Sequence, residues 1–281
     1  MPFAPSYDVP RERRAYTLPG NGRTGCLMLH GFMGSAVSSR PLAEYLQERG
    51  ITCHCPLLPG HGHYPDKLHK VPYQDWIAEV EEADETIRGL CDEVFIVSHS
   101  MGTVLGSHLI VTRGGIRGMV MMAPVYDVPD ERLNWMWLIR HVMPWYYPHR
   151  SRKPAMQKLV RERVLDFDST LDFDAPEVQA RLPQIARVPT SGMDEMVKMI
   201  RYGRSLWPQL TLPVHIFQGG RDPAVAAEKT KILYELLPSQ DKKLELFPEA
   251  GHELMRPFDP LHERVWPAIY EFIKSHSSDK A

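Results

Sequence analysis

Apolar residues along this chain fall into two rhythms. Cys26 to Leu29, Ile51 to Cys55, Val94 to Val97, Met119 to Ala123 and Val214 to Gln218 are short, nearly unbroken runs. Such runs are the pattern of strands buried on both faces of a parallel sheet. Lys243 to Phe247 adds another strand, and Arg14 to Leu18 a short one closed by the turn signal Pro19-Gly20-Asn21-Gly22. Between the runs, apolar positions recur at helical spacing. Leu42, Tyr45 and Leu46 follow Ser38-Ser39 and Pro41 and stop at Gly50. Trp76, Ile77, Val80, Ala83 and Ile87 form the inner stripe of a charged helix from Tyr73 to Leu90. Further helices are expected from Met101 to about Arg113, from Ala224 to Leu237, and from Asp259 to Ser275, the last with Pro260 in its first turn and a bend at Pro267. Strands separated by helices predict an α/β fold: a mostly parallel sheet with right-handed crossovers and helices on both faces.

That alternation stops between Val125 and Leu210. The stretch is helical in flavour, shows no clear strand, and is rich in large soft side chains such as Trp135, Trp137, Trp145 and Tyr146. It reads as an insertion at one connection, at the sheet edge where open α/β folds hold their ligands. The predicted organisation is a discontinuous core of residues 14–124 and 211–276 with a helical cap at 125–210. Residues 1 to about 13 read as an arm. An echo, Leu165-Asp166-Phe167-Asp168 and Leu171-Asp172-Phe173-Asp174, lacks the glycine-containing ligand loop of a calcium site and reads as an acidic loop.

Composition narrows the function classes. With 281 residues and a formal net charge of −2, nothing favours nucleic acid or an anionic membrane as main partner. The first residues lack an apolar core of signal-peptide length, and no run approaches the roughly 18 apolar residues of a membrane span. Cys26, Cys53, Cys55 and Cys91 are few for this length and read as buried reduced thiols, so a cytoplasmic protein is expected.

The chemistry concentrates after strands. Ser98-His99-Ser100-Met101-Gly102 follows the apolar run Val94 to Val97 and precedes a helix, which lifts the Ser100 hydroxyl clear of the sheet. The usual form is G-x-S-x-G; here Ser98 takes the first small position. Serine needs a base within hydrogen-bond reach, and that base needs an acid to hold its tautomer. His252 and Asp222 each follow a later strand, in the order nucleophile, acid, histidine. The backbone N–H groups of Met101 and Phe32 are the oxyanion donors this arrangement needs. Asp127, after Tyr126, is a second candidate for the acid. Cys53-His54-Cys55 and His61-Gly62-His63 carry zinc-type ligands, but Cys53 and Cys55 would share a core face of one strand; no metal is expected. His99 reads as a packing residue at the elbow. Trp135, Trp137, Trp145 and Tyr146 are candidates for a substrate-facing acyl wall, or for the glue between cap and core.

These pieces, HGFMGS (30–35), LLPGHG (57–62), SHSMG (98–102), GGRD (219–222) and AGHE (250–253), make the chain resemble an α/β-hydrolase, and within that fold the bacterial carboxylesterases and monoacylglycerol lipases. The resemblance covers roughly residues 24–124 and 212–275. It implies a Ser–His–Asp esterase without metal or organic cofactor, with the cap shaping acyl specificity. The expected activity is hydrolysis of short- to medium-chain acyl esters or monoacylglycerols through an acyl-enzyme, on a small ester or lipid-like substrate, with no nucleic-acid partner and no stable membrane insertion. Cleavage of a thioester, an amide or a C–C bond is the alternative, and a non-catalytic ligand-binding protein on the same fold a further one.

Overall fold

The computed structural model describes residues 3–21, 23–127, 131–168, 170–257 and 260–278, with the side chains of Asp166 and Phe167 excepted. Gly22 of the predicted turn and Asp259 of the predicted last helix lie outside the described residues. In chain order the strands are β1 (Tyr16–Leu18), β2 (Thr24–Leu29), β3 (Thr52–Cys55), β4 (Glu93–His99), β5 (Ile116–Met122), β6 (Trp145–Tyr146), β7 (Val188–Pro189), β8 (Val214–Gly219) and β9 (Lys242–Phe247). Seven of them form one sheet in the order β1-β3-β2-β4-β5-β8-β9. Its pairings are parallel apart from β1, which lies antiparallel to β3 at the edge. This is the α/β-hydrolase architecture, and β4 with its serine corner sits at the centre.

The helices are α1 (Arg40–Gln47), α2 (Tyr73–Arg88), α3 (Gly102–Arg113), α4 (Met136–Ile139), α5 (Pro154–Phe167), α6 (Pro176–Ile185), α7 (Thr190–Leu206), α8 (Ala227–Leu236) and α9 (His262–His276). Because side chains alternate along a strand, each buried run feeds two cores. Leu27, Leu29 and Ile96 join Trp76 and Val80 of α2, Val104 and Leu105 of α3 and Leu233 of α8 on one face. Cys26, Met28, Phe95 and Val97 join Leu42 and Leu46 of α1 and Val265, Ile269 and Phe272 of α9 on the other. Each fully buried large side chain contributes about 2–3 kcal/mol of apolar burial, so the two layers hold the sheet's central strands rigidly.

Two expectations need correction. The stretch between β5 and β8 was expected to contain no strand, yet β6 and β7 pair there, Trp145 with Pro189 and Tyr146 with Val188. Two-residue strands are too short to leave any alternation in sequence. The helix expected from Ala224 starts at Ala227 instead. Asp222 Oδ1 accepts the N–H groups of Ala224 at 2.7 Å and Val225 at 2.9 Å, and these side-chain bonds hold the segment as a turn.

Candidate active site

Ser100 stands between β4 and α3 with φ +54, in the left-handed region that costs a non-glycine residue roughly 1–2 kcal/mol. Its backbone is pinned against that cost. The Ser100 N–H donates to Met122 O at 2.9 Å, and Ser100 O accepts the Thr103 N–H at 3.0 Å and the Thr103 hydroxyl at 2.7 Å. The corner is tight: a Cβ added at Gly102 would lie 2.4 Å from the Leu29 carbonyl oxygen. Ser98, where glycine is commonest, is fully buried and donates its hydroxyl to Val120 O at 2.9 Å. The extra oxygen therefore has a partner on the neighbouring strand and the departure costs little.

Asp222 follows β8 and His252 follows β9. His252 Nδ1–H donates to Asp222 Oδ2 at 2.7 Å, and both side chains are almost wholly buried. Burial alone would raise the Asp222 carboxyl; the His252 ring, its hydrogen bond and the Val225 and Ala224 amides outweigh that and hold it below the ordinary range. Gln218 Nε2 also reaches Asp222 Oδ2 at 3.3 Å, and its Oε1 accepts the Thr230 hydroxyl at 2.7 Å. Asp127 is engaged elsewhere, by Arg204 and by Lys229 at 2.9 Å. Of the two candidate acids, Asp222 is the one bonded to the histidine.

His99, the residue before Ser100, is tied to His252. His99 Nε2–H donates to the His252 carbonyl at 2.9 Å, and the two rings lie 4.7 Å apart between centroids. Burial, more than any other cause, lowers the His99 pKa to about 4, so the ring is neutral and its donor is constant at neutral pH. Among the described residues no hydrogen bond joins the Ser100 hydroxyl to the His252 ring.

The second loop against Ser100 is 30–34. A Cβ at Gly31 would lie 2.9 Å from Ser100 Cβ, so the loop that carries Phe32 passes close to the serine corner. His30 holds that loop from beneath. Its Nδ1 donates to Gly31 O at 3.0 Å while Nε2 accepts the Leu58 N–H at 3.3 Å, a pairing that assigns one tautomer. Phe32 packs edge-on to Trp76 and His61, with centroids at 6.0 and 6.1 Å. No turn or loop hydrogen bond among the described residues uses the Phe32 or Met101 N–H.

The aromatic residues expected to face substrate are largely exposed or covered by other side chains. Trp135, Trp137 and Tyr146 are 60%, 54% and 40% exposed, and Trp145 is covered by the Arg187 guanidinium, 4.1 Å from its ring centroid. Phe32 and Met33 pack, as do Leu133 and Ile139, against the buried cluster of Met136, Val188 and Met193. Sequence reading missed that cluster, as it missed His30 and Gln218. Only the motif position of His30 and the polar end of the Val214 run hinted at the latter two. Cys53 and Cys55 are buried on β3 as expected. The ligand-type atoms that do converge among the described residues belong to His99, His252 and Glu253, within 4.8 Å of one another, and Glu253 is paired with Arg163 and Arg256. Two guanidinium groups beside that cluster oppose a cation there.

Comparison with known proteins fits this geometry. A family model described as serine aminopeptidase, S33, matches residues 20–259. A carboxylesterase of Bacillus subtilis (strain 168) is 24% identical over 93% of this chain and 96% of its own. A thermostable monoacylglycerol lipase of Bacillus sp. (strain H-257) is 24% identical over 92% of this chain and 93% of its own. Among solved structures, one of the metagenome-derived lipolytic enzymes LipS and LipT overlays with TM-score 0.77 at 20% identity, over 96% of this chain and 100% of that one. The Paleococcus ferrophilus monoacylglycerol lipase overlays with TM-score 0.71 at 19% identity, over 94% and 98%. At such identities these overlays speak to the fold.

Proposed function

Since the chain belongs to the serine aminopeptidase S33 family and is a serine hydrolase, we propose that it hydrolyses carboxylic esters through Ser100, His252 and Asp222. The observation that carries this reading is the 2.7 Å bond from His252 Nδ1 to Asp222 Oδ2, on a loop tied by His99 to the residue beside Ser100. With Nδ1–H committed to Asp222, Nε2 is left as the base. It takes the Ser100 proton as Oγ attacks the ester carbonyl, then returns that proton to the leaving alcohol. A water activated by the same nitrogen releases the acid. The hydrogen bond between Ser100 and His252 forms when substrate fills the site, as catalytic bonds often do. The amides of Phe32 and Met101 hold the tetrahedral oxyanion, each contributing about 3 kcal/mol to its stabilisation.

The carboxylesterase and monoacylglycerol lipase relatives support carboxylic esters, monoacylglycerols among them, as substrates, and short to medium acyl chains are part of the proposal. We divide the chain into a catalytic body, 14–124 and 211–276, and a cap, 125–210. The acyl wall is assigned to Met136, Val188 and Met193 against Phe32 rather than to the exposed tryptophans. Among the described residues no helix is long and apolar enough to cross a membrane. All four cysteines carry free thiols, which supports a reducing, cytoplasmic setting. Ser100→Ala is expected to lower p-nitrophenyl ester turnover by at least about 10⁴-fold and to abolish labelling by a fluorophosphonate; full turnover in that variant would end the proposal. The family's description as aminopeptidases favours amides as the second reading, so amide, thioester and ester substrates belong in one panel.

A further inference from the structure

The residue after His252 is a buried carboxylate that the ester chemistry leaves unused. Glu253 reaches across to α5 in the segment between β5 and β8, where Arg163 Nη2 lies 3.0 Å from its Oε1; the two side chains are 16% and 7% exposed. Arg256 Nε lies 3.4 Å from Oε2, and Arg256 Nη1 donates to the carbonyl of Glu162 on α5 at 3.4 Å. One ligand-type atom each of His99, His252 and Glu253 lies within 4.8 Å of the others. Two carboxylates therefore face the histidine: Asp222, bonded to Nδ1, and Glu253, close but unbonded. A second uncompensated carboxylate at that range in a buried site would favour imidazolium and take the base out of use.

Arg163 and Arg256 supply the compensation. Burial would raise the Glu253 carboxyl, yet the two arginines, with His99 and His252, hold it far below the ordinary range, so it is charged at every working pH. Although Arg163 is in ion-pair contact, Glu253 Oε1 accepts no aligned hydrogen bond. The contact is one of charge, and a displacement of α5 would loosen it. The other groups facing His252 are Asp222 from the loop after β8 and neutral His99 from β4, with Arg256 on its own loop and Glu162 behind it on α5.

We propose that the Arg163–Glu253 pair is a positioning device by which α5 sets the proton affinity of His252, a reading that rests on His252 being the general base. With α5 seated, Arg163 offsets the charge of Glu253 beside the ring. With α5 displaced, Glu253 is offset by Arg256 alone and the base is protonated more readily, so reactivity is coupled to the position of α5.

The ring titration of His252 is to be followed by NMR in the full chain labelled at histidine, its signal assigned with His252→Gln. Arg163→Met is expected to move the midpoint up by about one pH unit, and Glu253→Gln to move it down by a similar amount, because each deletes one of two opposed charges. Arg163→Lys keeps the charge and should superimpose on the parent even if Arg163→Met folds poorly. The acid limb of kcat/KM on a soluble p-nitrophenyl ester should follow, a one-unit shift reading as roughly tenfold at low pH. Midpoints that stay together, or that move in the same direction in Arg163→Met and Glu253→Gln, overturn the proposal. The NMR titration reads the ring whether or not Ser100 is the nucleophile, and Ser100→Ala turnover decides that separate question.

Discussion

Along β4 and into α3 every residue from 94 to 109 is buried, whereas the segment between β5 and β8 exposes Val142 at 75%, Trp135 at 60% and Met143 at 58%. The first region is gripped from two core layers and holds Ser100 in a strained backbone with three hydrogen bonds. Part of the second, Met199, Leu206, Trp207 and Leu210, joins the same core. The rest is held by small apolar clusters around Val160, Val125 and Met136 and by ion pairs such as Arg140 to Asp194 at 2.7 Å and Arg163 to Glu253. A nucleophile must keep its aim to within a fraction of an ångström, so burial is concentrated beneath it. The proposed cap, which would have to admit substrate, is served by more separable contacts.

The sharpest way to break this contrast is at the two aspartates. Asp222→Asn should lower kcat by about 10³- to 10⁴-fold, because the histidine loses the partner that fixes its tautomer. Asp127→Asn, which weakens ion pairs with Arg204 and Lys229, should stay within a few-fold. Comparable losses in both would mean that the segment after β5 takes part in the chemistry. A stability pair tests the packing. Phe95→Ala removes a ring with no exposed surface and should cost about 4 kcal/mol in urea unfolding. Trp137→Ala should cost no more than about 0.5 kcal/mol. A larger loss there would show the indole to be held by contacts that its exposure does not suggest.

The smallest effect concerns acid. Asp222 and Glu253 both have carboxyl pKa values lowered in the fold, despite burial, by the charges around them. Such groups stabilise the native state above their unfolded pKa values, about 3.9 and 4.3, and that stability drains away as pH falls below those values toward the folded ones. The parent should therefore lose thermal stability between about pH 4 and pH 2 more steeply than Glu253→Gln, by on the order of 1 kcal/mol. Parallel curves would show that the buried charge contributes no net stability, as such pairs sometimes do not.

Some of this was legible before any coordinates. Ser100, Asp222 and His252 follow strands whose apolar runs are unmistakable, and the small residues around Ser100 announce a corner with no room for side chains. The preference for Asp222 over Asp127 was already carried by its place after a later strand, and the bond to His252 agrees with it. Other features left no trace. The Ser98 hydroxyl needs the Val120 carbonyl opposite it, a matter of register between β4 and β5. The tryptophans between Trp135 and Trp145 look like a wall in sequence and lie exposed or capped by Arg187, because apolar content says nothing about which way a short irregular segment faces.

Hydrophobic rhythm alone determined the alternation of strands and helices, the parallel sheet and the loops that bear the chemistry, because burial on both faces demands unbroken apolar runs whatever surrounds them. Only the folded chain decided which groups pair across it. Arg163 and Glu253 stand ninety residues apart, and charges attract through space and not along the backbone, so no local pattern could have revealed their meeting beside His252.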